Sequence, residues 1–237
     1  MTAVEVNANL CNPYGDPKRA KVFVIGHDPR LRQGKAEAKY AFFLEYLERP
    51  YPSSASERRK YDLACAAIDY IKHLSGAFLS LNDMYFTNLC NEFLERPSGG
   101  GIVLIRNEVA NRGIEEIDKA LSLGAFKVIL PMSPQVFYHL VRTGFVSNRD
   151  ENLRTFLERA RPKPEASERG ACEPVGKSPF LLVCGRMYHH RNDLTPVIPI
   201  IHVKQWPLKA KMQAFCAPMK MAARNVFAIL STDSRRP

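Results

Sequence analysis

The chain has 237 residues, and 46% of them are hydrophobic, which is enough for a large core in one α/β domain. Its 34 Lys and Arg residues outnumber 24 Asp and Glu residues, and the net charge of +10 favours nucleic acid as a partner, with a membrane surface second. The sequence lacks both a run of about 18 apolar residues and a signal-peptide pattern, so it predicts no membrane partner.

The six cysteines show no local pairing of the kind that metal sites use. There is no CxxC and no CxxH, so the sequence argues against a zinc or iron–sulfur centre, and we expect no metal and no cofactor. A disulfide scaffold is not expected in a chain with this much core. Reduced thiols then predict an intracellular protein of the cytoplasm or nucleoid, a reducing compartment. The cysteines are Cys11, Cys65, Cys90, Cys172, Cys184 and Cys216.

Strands and helices alternate along the first half of the chain. Residues 1–18 are predicted to be a flexible N-terminus, and the apolar run that follows is typical of a buried strand. Apolar residues at helical spacing then predict two helices, the second capped by Ser56. The predicted elements are a strand over Lys21–Ile25, helices over Gly34–Glu48 and Ser56–Leu74, and a strand over Met84–Asn88.

The second half continues the alternation. A helix is predicted over Val109–Leu123 and ends at Gly124, and a later one is capped by Ser133, with Pro134 at its first position, and ends at Gly144. Residues 161–179, rich in Pro, Glu, Gly and Lys, are predicted to form a mobile loop insert. The remaining elements are strands over Phe126–Leu130, Phe180–Cys184 (short) and Val197–Ile201, a C-terminal helix to about Leu230 and a polar tail over 231–237.

This order predicts a single domain over residues 1–237. Its fold class is α/β: a three-layer α/β/α sandwich with a central four-stranded parallel sheet. No coiled-coil pattern occurs, and we expect a monomer.

Polar residues follow the predicted strands where each one ends. Asp28, Asn88 and His202 lie far apart in sequence, but parallel strands end at one edge of a sheet, so topology would bring these side chains to one crevice. Each also has a structural alternative: Asp28 as a cap or turn residue, Asn88 as a turn residue and His202 as a buried histidine with satisfied hydrogen bonds. GxGxxG and Walker A motifs are missing, which argues against the usual nicotinamide or ATP chemistry.

At these strand ends the sequence resembles the uracil-DNA glycosylase superfamily. Gly26-His27-Asp28-Pro29-Arg30 is similar to the family's GQDPY motif, and Tyr85-Phe86-Thr87-Asn88 to its YITN string. Pro199-Ile200-Ile201-His202 is similar to the strand that leads into the family's HPS loop. The resemblance covers roughly Lys21 to Leu230. Arg30 stands where uracil-specific members have tyrosine, and Val203-Lys204 replaces the Pro-Ser after the histidine.

The resemblance implies hydrolysis of the N-glycosidic bond of a damaged base, such as uracil, in DNA. Asp28 would position water and offset charge on the sugar, and His202 would donate a hydrogen bond to the leaving base. His27 and Asn88 would contact the base, Asn88 because an amide both donates and accepts. Phe42 or Phe43 would stack on the base, with helical core as the alternative role.

Cations and apolar residues beside these motifs are candidates for DNA contact. Trp206 or Leu208 would wedge into the duplex, the alternative being that Trp206 anchors its loop to the body of the domain. Phosphate contact is the predicted role of the flanking cations, which are Arg30, Arg32, Lys204 and Lys209.

Two other functions are compatible with the same sequence. One is a catalytically inactive nucleic-acid-binding relative of the same fold. The other is a small-molecule hydrolase or transferase that uses the same crevice. For the glycosylase, the expected partner is duplex DNA with a damaged or mispaired base.

Overall fold

The computed structural model describes residues 10–27, 31–32, 35–36, 38–92, 105–147, 150–160, 177–207 and 210–232. This part of the chain is mixed α/β, with a central sheet that is mostly parallel. The central strands are β1 (Val22–Gly26), β4 (Met84–Asn88), β5 (Val128–Pro131), β6 (Tyr188–His189) and β7 (Pro196–Val197), and β2 (Leu31–Arg32) pairs separately with β3 (Lys35–Ala36).

Strand β1 lies inside the sheet because its side chains are apolar on both faces. All five of its residues are buried, as in a parallel strand that is covered on two sides. β4 pairs with it on one side and β5 on the other, in the order β4-β1-β5-β7-β6. The chain therefore goes from β1 first to one neighbour and later to the other. The carboxyl end of such a strand is where open α/β sheets bind ligands.

The described sheet has five strands, so the predicted number of four is wrong. The additional strand β6 runs antiparallel to β7 at the edge. β7 is also shorter than predicted, because Pro199 cannot donate a ladder hydrogen bond, and Ile200 makes only an isolated bridge to Met132.

The predicted strand Phe180–Cys184 is wrong as well. Helix α5 (Lys177–Leu181) and a turn occupy this region, and Phe180 packs against Phe156 and Phe215. A short apolar run of this kind fits a buried helix as well as a buried strand.

Three helices follow the sequence signals closely. Helix α1 (Ala55–Ser75) begins after Ser54, whose hydroxyl accepts from the Glu57 N–H at 3.2 Å, so the predicted cap Ser56 is two residues late. Helix α2 (Asn107–Leu123) ends before Gly124, as predicted. Helix α3 (Pro134–Arg142) is capped by Ser133 with Pro134 first, also as predicted.

Two further helices cover other parts of the core. Helix α4 (Glu151–Ala160) was not predicted; the Asp150 carboxylate accepts from the Asn152 and Leu153 N–H groups and so caps it. Helix α6 (Cys216–Ser231) packs against α1. None of the helices in the described ranges combines the length and the apolarity that crossing a membrane requires.

The predicted helix over Gly34–Glu48 is wrong in its first half. β3 occupies Lys35–Ala36, and a 3-10 helix covers Ala41–Glu48. The buried Glu45 carboxylate accepts from the N–H groups of Lys39 and Tyr40, at 2.8 and 3.2 Å. Because these bonds turn the chain back on itself, they compete with a continuous helix.

Parts of the segments predicted to be flexible belong to regular structure or to the folded domain. Residues 10–18 belong to the folded domain, because Leu10, Asn12 and Tyr14 make β-bridges to Glu92, Tyr40 and Phe86. Residues 177–179 of the predicted insert lie in α5, and Ser231 of the predicted tail ends α6. Residues 1–9, 161–176 and 233–237 lie outside the described residues.

Candidate active site

Strands β1 and β4 end side by side. Gly26, the last residue of β1, is in register with Asn88, the last residue of β4. The pairing continues beyond both strands, since the Leu89 N–H donates to the Gly26 carbonyl at 2.9 Å and the Cys90 N–H to the His27 carbonyl at 3.1 Å. The carboxyl ends of β1 and β4 therefore meet at one edge of the sheet, and the predicted position of Asp28 beside them lies outside the described residues.

Two side chains close over Gly26 from different elements. A Cβ atom at Gly26 would lie 2.5 Å from Oδ1 of Asn88 and 2.8 Å from Cζ of Phe42. Real Cβ atoms do not approach so closely, so glycine is needed here for the amide and the ring to reach the backbone. The result is a ring face and an amide edge at the carboxyl end of β1.

The ring of Phe42 reaches this position through an unusual backbone conformation. Phe42 and Phe43 both have left-handed dihedral angles, with φ of 58° and 61°. Such strain costs of the order of 1–3 kcal/mol per residue and concentrates at functional sites. With these dihedral angles, the two neighbouring rings point in different directions and contact different parts of the protein.

Only one of the two phenylalanines lies beside the end of β1. Phe42 makes an edge contact with Phe86 at 5.6 Å and faces the His202 ring at 6.5 Å. Phe43 instead packs with Cys11, Ala38 and Tyr46 in a small separate cluster. These contacts favour the alternative prediction for Phe43, that it packs in the core and does not stack on a base.

His202 follows the last core segment and faces Phe42. Its Nδ1 accepts a hydrogen bond from the Lys204 N–H at 3.1 Å, which leaves the proton of a neutral imidazole on Nε2. The hydroxyl of the buried Tyr70 donates to the carbonyl of Ile201 at 3.2 Å. Helix α1 thus holds the backbone directly before His202.

Asn88 is almost completely buried, with 4% of its surface exposed. Its Nδ2 donates to Sγ of Cys11 at 3.6 Å. Since this contact occupies one amide hydrogen, it orients the amide so that Oδ1 lies over Gly26. The amide offers an acceptor and a second donor hydrogen.

His27 contacts a residue that the motifs did not include. Its Nε2 makes a hydrogen bond with Oε1 of Gln135, at the start of α3. This contact ties the chain after β1 to the chain after β5, the two neighbouring strands at whose ends the crevice is expected.

The other predicted site residues differ in what the structure describes. Asp28, Arg30, Leu208 and Lys209 lie outside the described residues, and Arg32 is described only as backbone in β2. Lys204 is exposed beside His202. Trp206 stacks on Tyr70 at 5.2 Å and contacts His73 at 4.7 Å, which favours the anchoring role over the wedge role.

Sequence reasoning missed three supporting residues: Cys11, Tyr70 and Gln135. Tyr70 was recognisable as a core position of α1, but nothing local indicates that its hydroxyl reaches Ile201, 131 residues later. Cys11 lies in a segment predicted to be flexible, and Gln135 in the first turn of a helix. In the described part of the chain, no three His, Cys, Asp or Glu side chains are grouped so that they could hold a metal ion.

His139 is expected to make the stability of the protein depend on pH. This histidine lies one turn after Gln135 with 3% of its surface exposed, and burial, followed by the charge of Arg142, lowers its pKa to about 4. In the unfolded chain this imidazole takes up its proton near pH 6.5. The contribution of the neutral His139 to the free energy of unfolding is therefore fully present above pH 6.5 and is lost as the pH falls towards about 4. We expect a loss of about 3 kcal/mol at this site.

Denaturant unfolding between pH 7 and pH 4 measures the effect. The matched variant is His139→Gln, which does not titrate but can still donate a hydrogen bond to the Ile105 backbone, as His139 does. Its free energy of unfolding should fall less than that of the wild type. Equal falls in the two proteins would contradict the assignment.

Thiol reactivity should separate the buried from the exposed cysteines. Burial raises the pKa of both Cys11 and Cys184 to about 12, whereas Cys216 is exposed. At pH 8 we expect iodoacetamide to modify Cys216 in the native protein and to leave Cys11 and Cys184 unmodified until denaturant is added. Peptide mass spectrometry after brief labelling measures this. Native labelling of Cys11 at the rate of Cys216 would show that the wall beside Asn88 is open.

Comparisons with known proteins add no family to this picture, because neither the models of protein families nor the curated proteins include a match to this chain.

Proposed function

We propose that this protein is a DNA base-excision glycosylase that hydrolyses the N-glycosidic bond of a damaged base such as uracil. The observation that carries the proposal is the meeting of Phe42, Asn88 and His202 around the end of β1. A ring face, an amide edge and an imidazole donor are what a pocket needs to hold a single base that has left the helical stack.

Recognition of the base would divide between the ring and the amide. The exposed part of the Phe42 ring would stack on the base, and Asn88 would accept from one group on its edge and donate to the next. For uracil these groups are the N3–H and O4. Because Cys11 holds the Asn88 amide in one orientation, the pocket would favour a base with this order of donor and acceptor.

Hydrolysis would use His202 on the base and Asp28 on the sugar. As the C1′–N bond breaks, negative charge collects on the base and positive charge on the sugar. The His202 Nε2–H would donate to the base anion, while the Asp28 carboxylate would orient water towards C1′ and offset the sugar charge. Donors fixed in advance in this way commonly contribute a few kcal/mol each.

We also propose a three-layer α/β/α arrangement for the domain and DNA as its partner. Helices α1 and α6 pack together, and α2, α3 and α4 form a second connected group, an arrangement that supports three layers with helices on both faces of the sheet. The net charge of +10 supports DNA as the partner, with the protein acting as a monomer inside the cell.

One observation also favours the second candidate function, a nucleic-acid-binding relative without hydrolysis. Between Asp193 and Asp233 the sequence has five cations and no acidic residue. This stretch includes His202 and Lys204, so it favours contact with an anionic polymer whether or not a bond is broken.

Release of free base separates the two functions. Single- and double-stranded oligonucleotides with one uracil are incubated with the protein, and free uracil and alkali-labile abasic sites are measured. We expect both products from uracil and neither from a thymine-containing control. Binding that weakens with salt, without base release from a panel of damaged DNAs, would reject the glycosylase and support the second candidate.

A further inference from the structure

A groove separate from the base pocket runs between helices α1 and α6. Its cavity of about 370 Å³ is lined by His73 of α1, by Trp206, and by residues of α6 that include Met219, Lys220, Ala223 and Arg224. A volume of this size falls within the range of ligand sites, about 300–1,000 Å³.

The face of α6 that lines the groove continues to a second aromatic pair. Lys220, Arg224 and Phe227 are spaced three and four residues apart, so they share one side of the helix. Phe227 contacts Phe78 at 5.5 Å, and the two side chains are 46% and 56% exposed. Two cations therefore share this cavity with the His73–Trp206 pair, and the Phe78–Phe227 pair follows about one turn beyond Arg224.

We infer that this groove binds single-stranded DNA, namely the strand that continues from the base pocket. Bases would stack on the exposed parts of the aromatic pairs, and phosphates would contact Lys220 and Arg224. Grooves for single strands combine a basic track with aromatic platforms in this way. That the strand enters the groove from the base pocket rests on the proposed function.

Charge and spacing favour a nucleic acid strand over an acidic amphipathic peptide. A peptide helix needs a continuous apolar stripe for its anchors. Here the two exposed cations interrupt the apolar surface between the aromatic pairs, and neither α6 nor the 3-10 helix before it (Ala210–Phe215) contains an acidic residue. Repeating phosphates and bases match that alternation of charge and ring.

The groove and the base pocket share one loop. Trp206 lies four residues after His202, and Tyr70 contacts both the Trp206 ring and the Ile201 carbonyl. A strand with one base in the pocket would therefore pass this loop directly into the groove.

Trp206 is the one tryptophan of the chain, so its fluorescence reports on the groove. The test titrates the full-length protein with undamaged oligothymidylates of about 4, 8 and 16 nucleotides, spanning the usual size of single-strand sites. We expect a saturable fluorescence change and an affinity that rises with length. The double variant Lys220→Glu/Arg224→Glu should bind the longest oligonucleotide at least tenfold more weakly.

A charge-matched control separates the groove from net charge. Arg154→Glu/Arg159→Glu makes the same change on α4, which packs on α3 and α5 and not on the groove. The groove variant should also lower the salt slope of binding by roughly 1.4 more than the control, the value for two phosphate contacts to a single strand. Equal affinities and slopes in the two variants would overturn the inference.

Three further results are decisive. If polyglutamate changes Trp206 fluorescence with equal affinity, the groove is a site for acidic peptides and the inference is wrong. If the protein releases no base but the groove variant still binds DNA more weakly than the control, the glycosylase proposal fails while the groove assignment stands. Base release together with wild-type DNA binding by the groove variant would reject the groove assignment alone.

Discussion

Replacing His202 by alanine is expected to lower kcat for uracil release by about 100- to 1,000-fold, the usual effect of removing one fixed donor to a developing anion. The bond from the Lys204 N–H to Nδ1 sets the donor on the other ring nitrogen, and alanine removes both. KM should change much less, because the hydrogen bond to the base strengthens only as the anion forms. Single-turnover kinetics with a uracil oligonucleotide measure the chemical step directly.

The matched control for this prediction is His189→Ala. His189 is an exposed histidine on β6, and its removal should leave base release unchanged. Asp28→Asn keeps the size of that side chain and removes the charge proposed to face the sugar, so it should also slow release. Wild-type rates in both His202→Ala and Asp28→Asn would remove the proposed mechanism.

Gly26→Ala is expected to disable the pocket while the domain still folds. The added methyl group would lie 2.5 Å from Oδ1 of Asn88 and 2.8 Å from the Phe42 ring, so both groups must move. We expect base release to fall by about 100-fold, since displacements near 1 Å can have effects of that size. Overpacking should cost about 1–3 kcal/mol of stability. Base release and thermal unfolding are measured on the same sample.

Gly144→Ala is the control for the glycine substitution itself. Gly144 has a left-handed φ of 71°, but a Cβ there meets no atom within 4 Å, so the change introduces backbone strain without a steric clash. It should therefore lower stability without slowing base release. If Gly26→Ala retained wild-type release, the close approach of Phe42 and Asn88 to β1 would have no part in the reaction.

The contact at Gly26 also shows why part of the site was predictable from sequence. Short continuous apolar runs, which are typical of buried strands, located the carboxyl ends of β1 and β4 to within one residue. Parallel pairing then required Gly26 and Asn88 to be neighbours, because topology brings the carboxyl ends of adjacent strands together. The capping residue of α3 was recognised for a similar local reason.

The environment of Phe42 could not be derived in the same way. Helical spacing of apolar residues predicted a helix over 34–48, but the buried Glu45 bonds to backbone N–H groups of the preceding residues and ends that pattern. Its competing hydrogen bonds form only where the surrounding chain excludes water. Sequence alone therefore left Phe42 and Phe43 equivalent, whereas the fold directs only Phe42 to the end of β1 and towards His202.

Local sequence was sufficient for the properties that depend on neighbouring residues. Alternation of strands and helices, the caps at Ser133 and Gly124, the basic charge and the polar residues at strand ends are all readable from the chain. The fold itself was needed for contacts between distant segments: Tyr70 with Ile201, Cys11 with Asn88, and His27 with Gln135. Such pairs depend on the relative positions of several elements, and those positions follow from packing of the whole core rather than from any local pattern.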